Sequence, residues 1–154
     1  MGKCIIVYYS MDGNTRQIAE RIRSQTGFPL VQLETAVPYT GTDEEIIAQG
    51  QEEVNRGYRP ALKPLGVDLE ACDTILVGTP TWWYTMASPV LSFLYLVDWR
   101  GKTLVPFQTH AGWPGHCLED MERACPGAKV RYPRKIHFSP QQFGKPETPQ
   151  RELE

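Results

Sequence analysis

The sequence has no excess charge of either sign, no apolar run of membrane length and no cysteine pair at metal-binding spacing. Its 154 residues carry 16 Lys and Arg against 18 Asp and Glu, a formal net charge of -2. A nucleic-acid binder normally shows a basic stripe, so that class of partner is not expected. The apolar run Cys4-Ile5-Ile6-Val7-Tyr8-Tyr9 is far shorter than the ~20 residues a membrane helix needs. Cys4, Cys72, Cys117 and Cys125 form neither a Cys-x-x-Cys pair nor a Cys/His cluster. They read as thiols of a reducing compartment, which implies a cytoplasmic protein without a membrane anchor. A Gly-x-Gly-x-x-Gly unit, internal repeats and low-complexity tracts are also missing.

Two further absences exclude specific chemistry. Cys117 and Arg123 have the spacing of a tyrosine-phosphatase loop, but Glu119, Asp120 and Glu122 lie between them and would repel a phosphate. Leu118 and Met121 instead mark an amphipathic helix over Cys117–Cys125. Receiver domains need carboxylates at the end of the first strand, where Tyr8-Tyr9-Ser10 stands.

What is present is an alternation of buried strands and helices. Lys3–Tyr9 and Asp73–Gly78 are apolar runs typical of parallel strands covered on both faces. Leu30–Leu33, Lys102–Gln108 and Lys129–Phe138 complete five strands, the last alternating as if one face were wet. Helices are expected over Thr15–Ser24, stopped by Thr26-Gly27, and from Thr42, whose Glu45 completes a capping box, to Gly57. The apolar side of the latter is read as Ile46, Ile47 and Val54. Ser88-Pro89 opens a third helix, with Ser88 as its cap, through about Val97. The pattern predicts one doubly wound α/β domain over residues 1–138 with a parallel sheet. Residues 139–154 read as a proline-rich tail with a stub of helix from Thr148, so the final helix of such a fold is expected to be short or missing. A second copy of the chain is one candidate to cover the face this leaves bare.

In open α/β sheets ligands bind beyond the carboxyl ends of the strands, near the point where strand order reverses. Three loops there carry unusual residues. The first, Ser10-Met11-Asp12-Gly13-Asn14-Thr15, runs from a strand into a helix, whose amino end can hold a phosphate on backbone N–H groups. Ser10, Asn14 and Thr15 can add donors; alternatively, Asn14 with Gln17 is simply a helix cap. The second loop, Thr79-Pro80-Thr81-Trp82-Trp83-Tyr84, sets three aromatics side by side. One of them is expected to plug the sheet edge, and the others suit a flat aromatic ligand, with Tyr84 the candidate for stacking. The third, Thr109-His110-Ala111-Gly112-Trp113-Pro114-Gly115, offers backbone donors, a further aromatic, and a histidine that either contacts a ligand or is merely solvated.

With these loops the sequence resembles the flavodoxin family, most closely its short members with a Trp-Trp pair after the third strand. The matching pieces are Ile5 to Thr15, Val77 to Trp83 and Gly101 to Gly112, and the Ser-x-x-Gly-Asn-Thr loop is the most specific of them. The resemblance implies a flavodoxin-like sheet in the order 2-1-3-4-5; flavodoxin with its FMN is itself an established example of the switch-point rule. It implies FMN as cofactor, its phosphate on Ser10 and on Asp12, Gly13, Asn14 and Thr15. The isoalloxazine would lie between Pro80, Thr81, Trp82, Trp83 and Tyr84 on one side and Thr109, His110, Ala111, Gly112 and Gly115 on the other. No catalytic residue and no metal are implied. The implied role is electron transfer with redox partner proteins. A nicotinamide-dependent quinone or flavin reductase is the first alternative, and an interaction module with weakened FMN binding is the second. Asp12 near the phosphate, and Trp113-Pro114 in place of small residues, depart from the family pattern.

Overall fold

The computed structural model describes residues 3–11 and 13–138. Its centre is a parallel sheet built from β1 (Cys4–Tyr8), β2 (Leu30–Gln32), β3 (Thr74–Trp82), β5 (Thr103–His110) and β6 (Lys129–Val130), in the order β2-β1-β3-β5-β6. Two short strands join it: β4 (Thr85–Met86) pairs antiparallel with β3, and β7 (Arg134–His137) pairs parallel with β5. Setting β4 and β7 aside, the main strands run 2-1-3-4-5 as expected. The order reverses between β1 and β3, so the loops that leave those strands run to helices on opposite faces of the sheet and leave a crevice between them.

Alternation along β1 explains the two-sided burial. Ile5, Val7 and Tyr9 face one core with Ile75, Val77 and Leu104, covered by Val90, Phe93 and Leu94 of α3 (Ser88–Leu96) and by Met121 of α4 (Cys117–Arg123). Ile6 and Tyr8 face the other core with Leu76 and Phe107, covered by Ile18 and Ala19 of α1 (Asn14–Thr26). Burying both faces is why these strands carry no polar alternation. The four cysteines are unpaired. Among the described residues, no helix is long and apolar enough to cross a membrane.

The helices largely follow their start and stop signals. α1 ends on Gly27 and α2 (Asp43–Arg56) on Gly57, both left-handed, and α2 opens on the full Thr42–Glu45 capping box. Three details differ from the sequence reading. α2 turns Gly50 and Glu53 inward, while Ile47 stays 57% exposed. Glu53 is tolerated there because Tyr39 Oη (2.7 Å) and Gln49 Nε2 (3.0 Å) both donate to its carboxylate. Ser88 does not cap α3; Ala87 takes that position, and its N–H donates to Thr79 Oγ1. The helix expected to reach Cys125 ends at Arg123.

The last expected strand, Lys129–Phe138, is broken in two. Val130 pairs with Leu104 and Arg134 with Phe107, so a four-residue step on one strand answers a three-residue step on the other. The extra residue forms a bulge around Tyr132, which is left-handed (φ 51°) and precedes Pro133. The tail helix expected from Thr148, and the bare face and second copy inferred from it, lie outside the described residues.

Candidate functional site

The first loop leaves β1 at Tyr8 and enters α1 at Asn14. Gly13 takes the N-cap position with φ 96° and brings no side chain to cap the helix. The alternative of an Asn14–Gln17 cap is therefore not what forms; Gln17 N–H donates instead to Gly13 O. Ser10 Oγ accepts from Gly13 N–H at 3.1 Å, folding the loop back on itself. Thr15 is fully buried, and its hydroxyl is hydrogen-bonded to that of Thr109 at 2.8 Å. That contact ties the first loop to the end of β5. Asp12 lies outside the described residues.

The second loop is shorter than expected because β3 continues through Trp82. Thr81 pairs with Met86 and Trp82 with Thr85, which leaves Trp83 and Tyr84 as a two-residue hairpin turn. Both have positive φ, 49° and 69°, as a type I′ turn demands. Such positions normally carry Asn or Gly, and a bulky side chain there costs roughly 1–2 kcal/mol. Tyr84→Gly is therefore expected to be more stable than Tyr84→Ala by about 1 kcal/mol, the reverse of the usual order; paired thermal melts check this.

The three aromatics have separate fates. Trp82 is the plug, edge-on to Tyr9 (5.7 Å) and Tyr39 (5.6 Å) and packed on Gly50 of α2. Burial, with Glu53 nearby, pushes the Tyr9 hydroxyl up to about 12, so it stays neutral. Trp83 and Tyr84 project outward, 41% and 54% exposed.

The third loop begins two residues later than expected, at Ala111, since β5 runs through His110. The His110 ring stacks on that of His137, with centroids 5.1 Å apart and planes 8° from parallel. Burial first, then His137 and Lys135, lower the His110 pKa below its ordinary 6.5. Its Nδ1 accepts from Gly112 N–H at 3.1 Å, which puts the proton of the neutral ring on Nε2. Trp113 stands out of the loop, 65% exposed. Gly115 (φ 60°) passes so close to Tyr84 that a Cβ would lie 2.3 Å from Tyr84 O. The next N–H, of His116, donates to that same carbonyl at 2.8 Å.

Gln108 is the site residue that the sequence did not reveal. It is fully buried near the carboxyl end of β5, and its Nε2 donates both to Thr81 Oγ1 (2.8 Å) and to Pro114 O (2.6 Å). Thr81 Oγ1 in turn donates to Thr109 O at 2.9 Å. Pro80, one residue earlier, is held in register with Thr109. Hairpin and third loop are thus cross-braced from beneath. Only the placement of a polar residue in an otherwise apolar strand hinted at this.

Between hairpin and third loop opens a cleft of about 260 Å³, lined by Thr81, Trp83, Tyr84, His110, Ala111 and Trp113. A second cleft, of about 310 Å³, lies on the α2 side of Trp83 and is lined mainly by Met11, Ile46, Ile47, Gly50 and Trp82. A larger cavity of about 680 Å³, beside Tyr95, Trp99 and Arg100, shares no residue with the three loops. Position decides among them. The first two clefts lie at the carboxyl ends of the strands, one between the ends of β3 and β5 and the other between Met11, beyond β1, and Trp82 of β3.

The family model for flavodoxin matches residues 3–142, and the chain belongs to that family. Among solved structures, a flavoprotein from Lactobacillus acidophilus NCFM, determined in complex with FMN, is 21% identical. The match covers 88% of this chain and 93% of that one, with a TM-score of 0.76. A protein from Bacteroides uniformis assigned as a flavoprotein is 24% identical, with coverages of 90% and 92% and a TM-score of 0.80. Oxidised flavodoxin 1 from Bacillus cereus is 18% identical, with coverages of 98% and 92% and a TM-score of 0.54. At these identities the likeness shows the fold. A search of curated protein sequences finds no match to the chain.

Proposed function

We propose that the protein binds FMN at the carboxyl edge of the sheet and serves as an electron carrier for partner proteins. One observation carries this reading above the others: two indoles, Trp83 and Trp113, and the neutral His110 border a single open cleft. Two tryptophans with much of their surface open beside one crevice suit a flat aromatic ligand. The flavodoxin solved with FMN from Fusobacterium nucleatum, 16% identical with a TM-score of 0.50, adds a second FMN-bound relative of the same fold.

The residues present fit the cofactor. Helix α1 starts on Gly13, which brings no side chain to cap it, and a Cβ built there would meet nothing within 4 Å. A phosphate has room to approach the backbone there and would compensate the amino end of α1 without a cationic side chain. Ser10, Asp12, Gly13, Asn14 and Thr15 are the residues assigned to hold it. Trp83, Tyr84, His110, Ala111 and Gly112 are assigned to the ring, backed by Pro80, Thr81, Trp82, Thr109 and Gly115. FMN supplies the redox chemistry; the chain supplies orientation, exclusion of water and hydrogen bonds. Unpaired cysteines fit a reducing, cytoplasmic setting.

The carrier reading is tested by anaerobic reduction of the FMN-loaded protein. Stepwise photoreduction, one electron at a time, with slow bleaching by NADPH or NADH is the expected result. Rapid bleaching by either nicotinamide would instead make the protein a reductase.

A further inference from the structure

The Trp83–Tyr84 turn is left-handed at two bulky residues, so something outside the turn must hold it. Two contacts come from one corner of the fold. His116 N–H donates to Tyr84 O at 2.8 Å, and Thr85 Oγ1 donates to Asp120 Oδ2 at 2.6 Å. Consecutive residues of the hairpin are therefore each tied to the start of α4. Asp120 is the hub. The same Oδ2 also meets Nδ1 of His116, and its Oδ1 accepts from Arg123 at 3.4 Å. Its side chain is only 20% exposed and its bond to Thr85 is partly buried, whereas His116 and Arg123 are largely exposed.

We propose that Asp120 is a positioning residue for the aromatic turn: through Thr85 and His116 it fixes where Trp83 and Tyr84 stand, and so sets how tightly the flavin ring is held. This rests on the FMN reading above. Asp120 itself lines a separate cleft behind the hairpin, with Thr85, Met86 and Tyr58, and is absent from the lining of the two clefts beside Trp83. Nor does α4 need Asp120 to dock, because Cys117 and Met121, both fully buried, anchor that helix in the core. The bond to Thr85 has the strength expected of a hydroxyl donating to a carboxylate, of the same order as the strain it opposes. Losing it frees the turn to relax toward ordinary backbone angles.

Four variants of the full chain separate the cases: Asp120→Ala, Asp120→Asn, Thr85→Val and Thr85→Ser. Each is titrated with FMN, and amide hydrogen exchange at residues 83–85 is followed without FMN. Asp120→Ala and Thr85→Val are expected to weaken FMN binding about tenfold and to speed exchange at those amides. Asp120→Asn and Thr85→Ser keep an acceptor and a hydroxyl, and are expected to stay within about twofold of the parent. Thr85→Val removes the bond without altering α4, so a folding defect of Asp120→Ala leaves the test intact. Parent-like FMN affinity in both disruptive variants overturns the proposal, even if exchange speeds up. A parent protein that does not bind FMN at all defeats the functional reading; unchanged exchange in Asp120→Ala and Thr85→Val would still show that Asp120 does not hold the turn.

Discussion

Replacing Gly115 with alanine is expected to weaken FMN binding about a hundredfold or more while leaving a folded protein. The reason is a collision between two backbones rather than lost chemistry. A Cβ at Gly115 would stand 2.3 Å from Tyr84 O and 2.5 Å from Tyr84 Cα, atoms that cannot swing aside as a flexible side chain would. The third loop and the hairpin must part, and the cleft between Trp83 and Trp113 loses its walls. Gly57→Ala is the control. Gly57 has nearly the same φ (62° against 60°), but a Cβ there meets nothing within 4 Å. It should lose only the roughly 1–2 kcal/mol of left-handed strain and keep its FMN affinity. Gly115→Ala should lose more stability than that, together with about a hundredfold or more in affinity. FMN titration and urea unfolding of the two variants, side by side, decide the matter.

The largest loss of stability is expected from Gly78→Ala. Gly78 lies mid-sheet on β3, directly beside Phe107 in the parallel pairing with β5. A Cβ would fall 2.3 Å from two carbons of that ring. Phe107 is 3% exposed and packed among Tyr8, Leu76 and Ile136, so the ring has little room to retreat. Overpacking of this kind costs about 1–3 kcal/mol, and the upper end is expected here because the clash lies in the middle of the sheet. The effect should be non-additive. Phe107→Leu alone destabilises, yet combined with Gly78→Ala it should recover about 1 kcal/mol of the loss, since a smaller side chain vacates the contested space. A strictly additive double mutant would mean that the ring was never in the way.

Much of the fold was legible because local and global signals agree. The apolar runs at Lys3–Tyr9 and Asp73–Gly78 read as strands covered on both faces, and β1 and β3 are that. The Thr42–Glu45 box and the glycines at 27 and 57 marked helix ends through plain capping chemistry. The site was legible as three loops at one sheet edge, and the structure does bring those loops together. How they join was not. A two-residue hairpin is read from Asn-Gly or similar pairs, and here Trp83-Tyr84 occupy the turn against their own backbone preference. The bulge at Tyr132 hid inside an apparently continuous alternation. Glu53 is not among the residues read as the inward side of α2, and Tyr39 and Gln49, one distant in sequence and one a turn away, make its burial tolerable. Asp120 looked like one acid among three on a solvated helix; what distinguishes it is a partner, Thr85, that sequence spacing cannot supply. In each case a tertiary contact overrode a local preference, and most of these cases cluster around the aromatic turn.

The most direct measurement is a fluorescence titration of the purified protein with FMN, followed by desalting and a visible spectrum. One FMN per chain, quenched tryptophan emission and a flavin spectrum that survives desalting are the predicted results, with the quenching reduced in Trp83→Ala and Trp113→Ala. A colourless protein whose tryptophan emission ignores added FMN would contradict the assignment of the cleft between Trp83 and Trp113 as a flavin site.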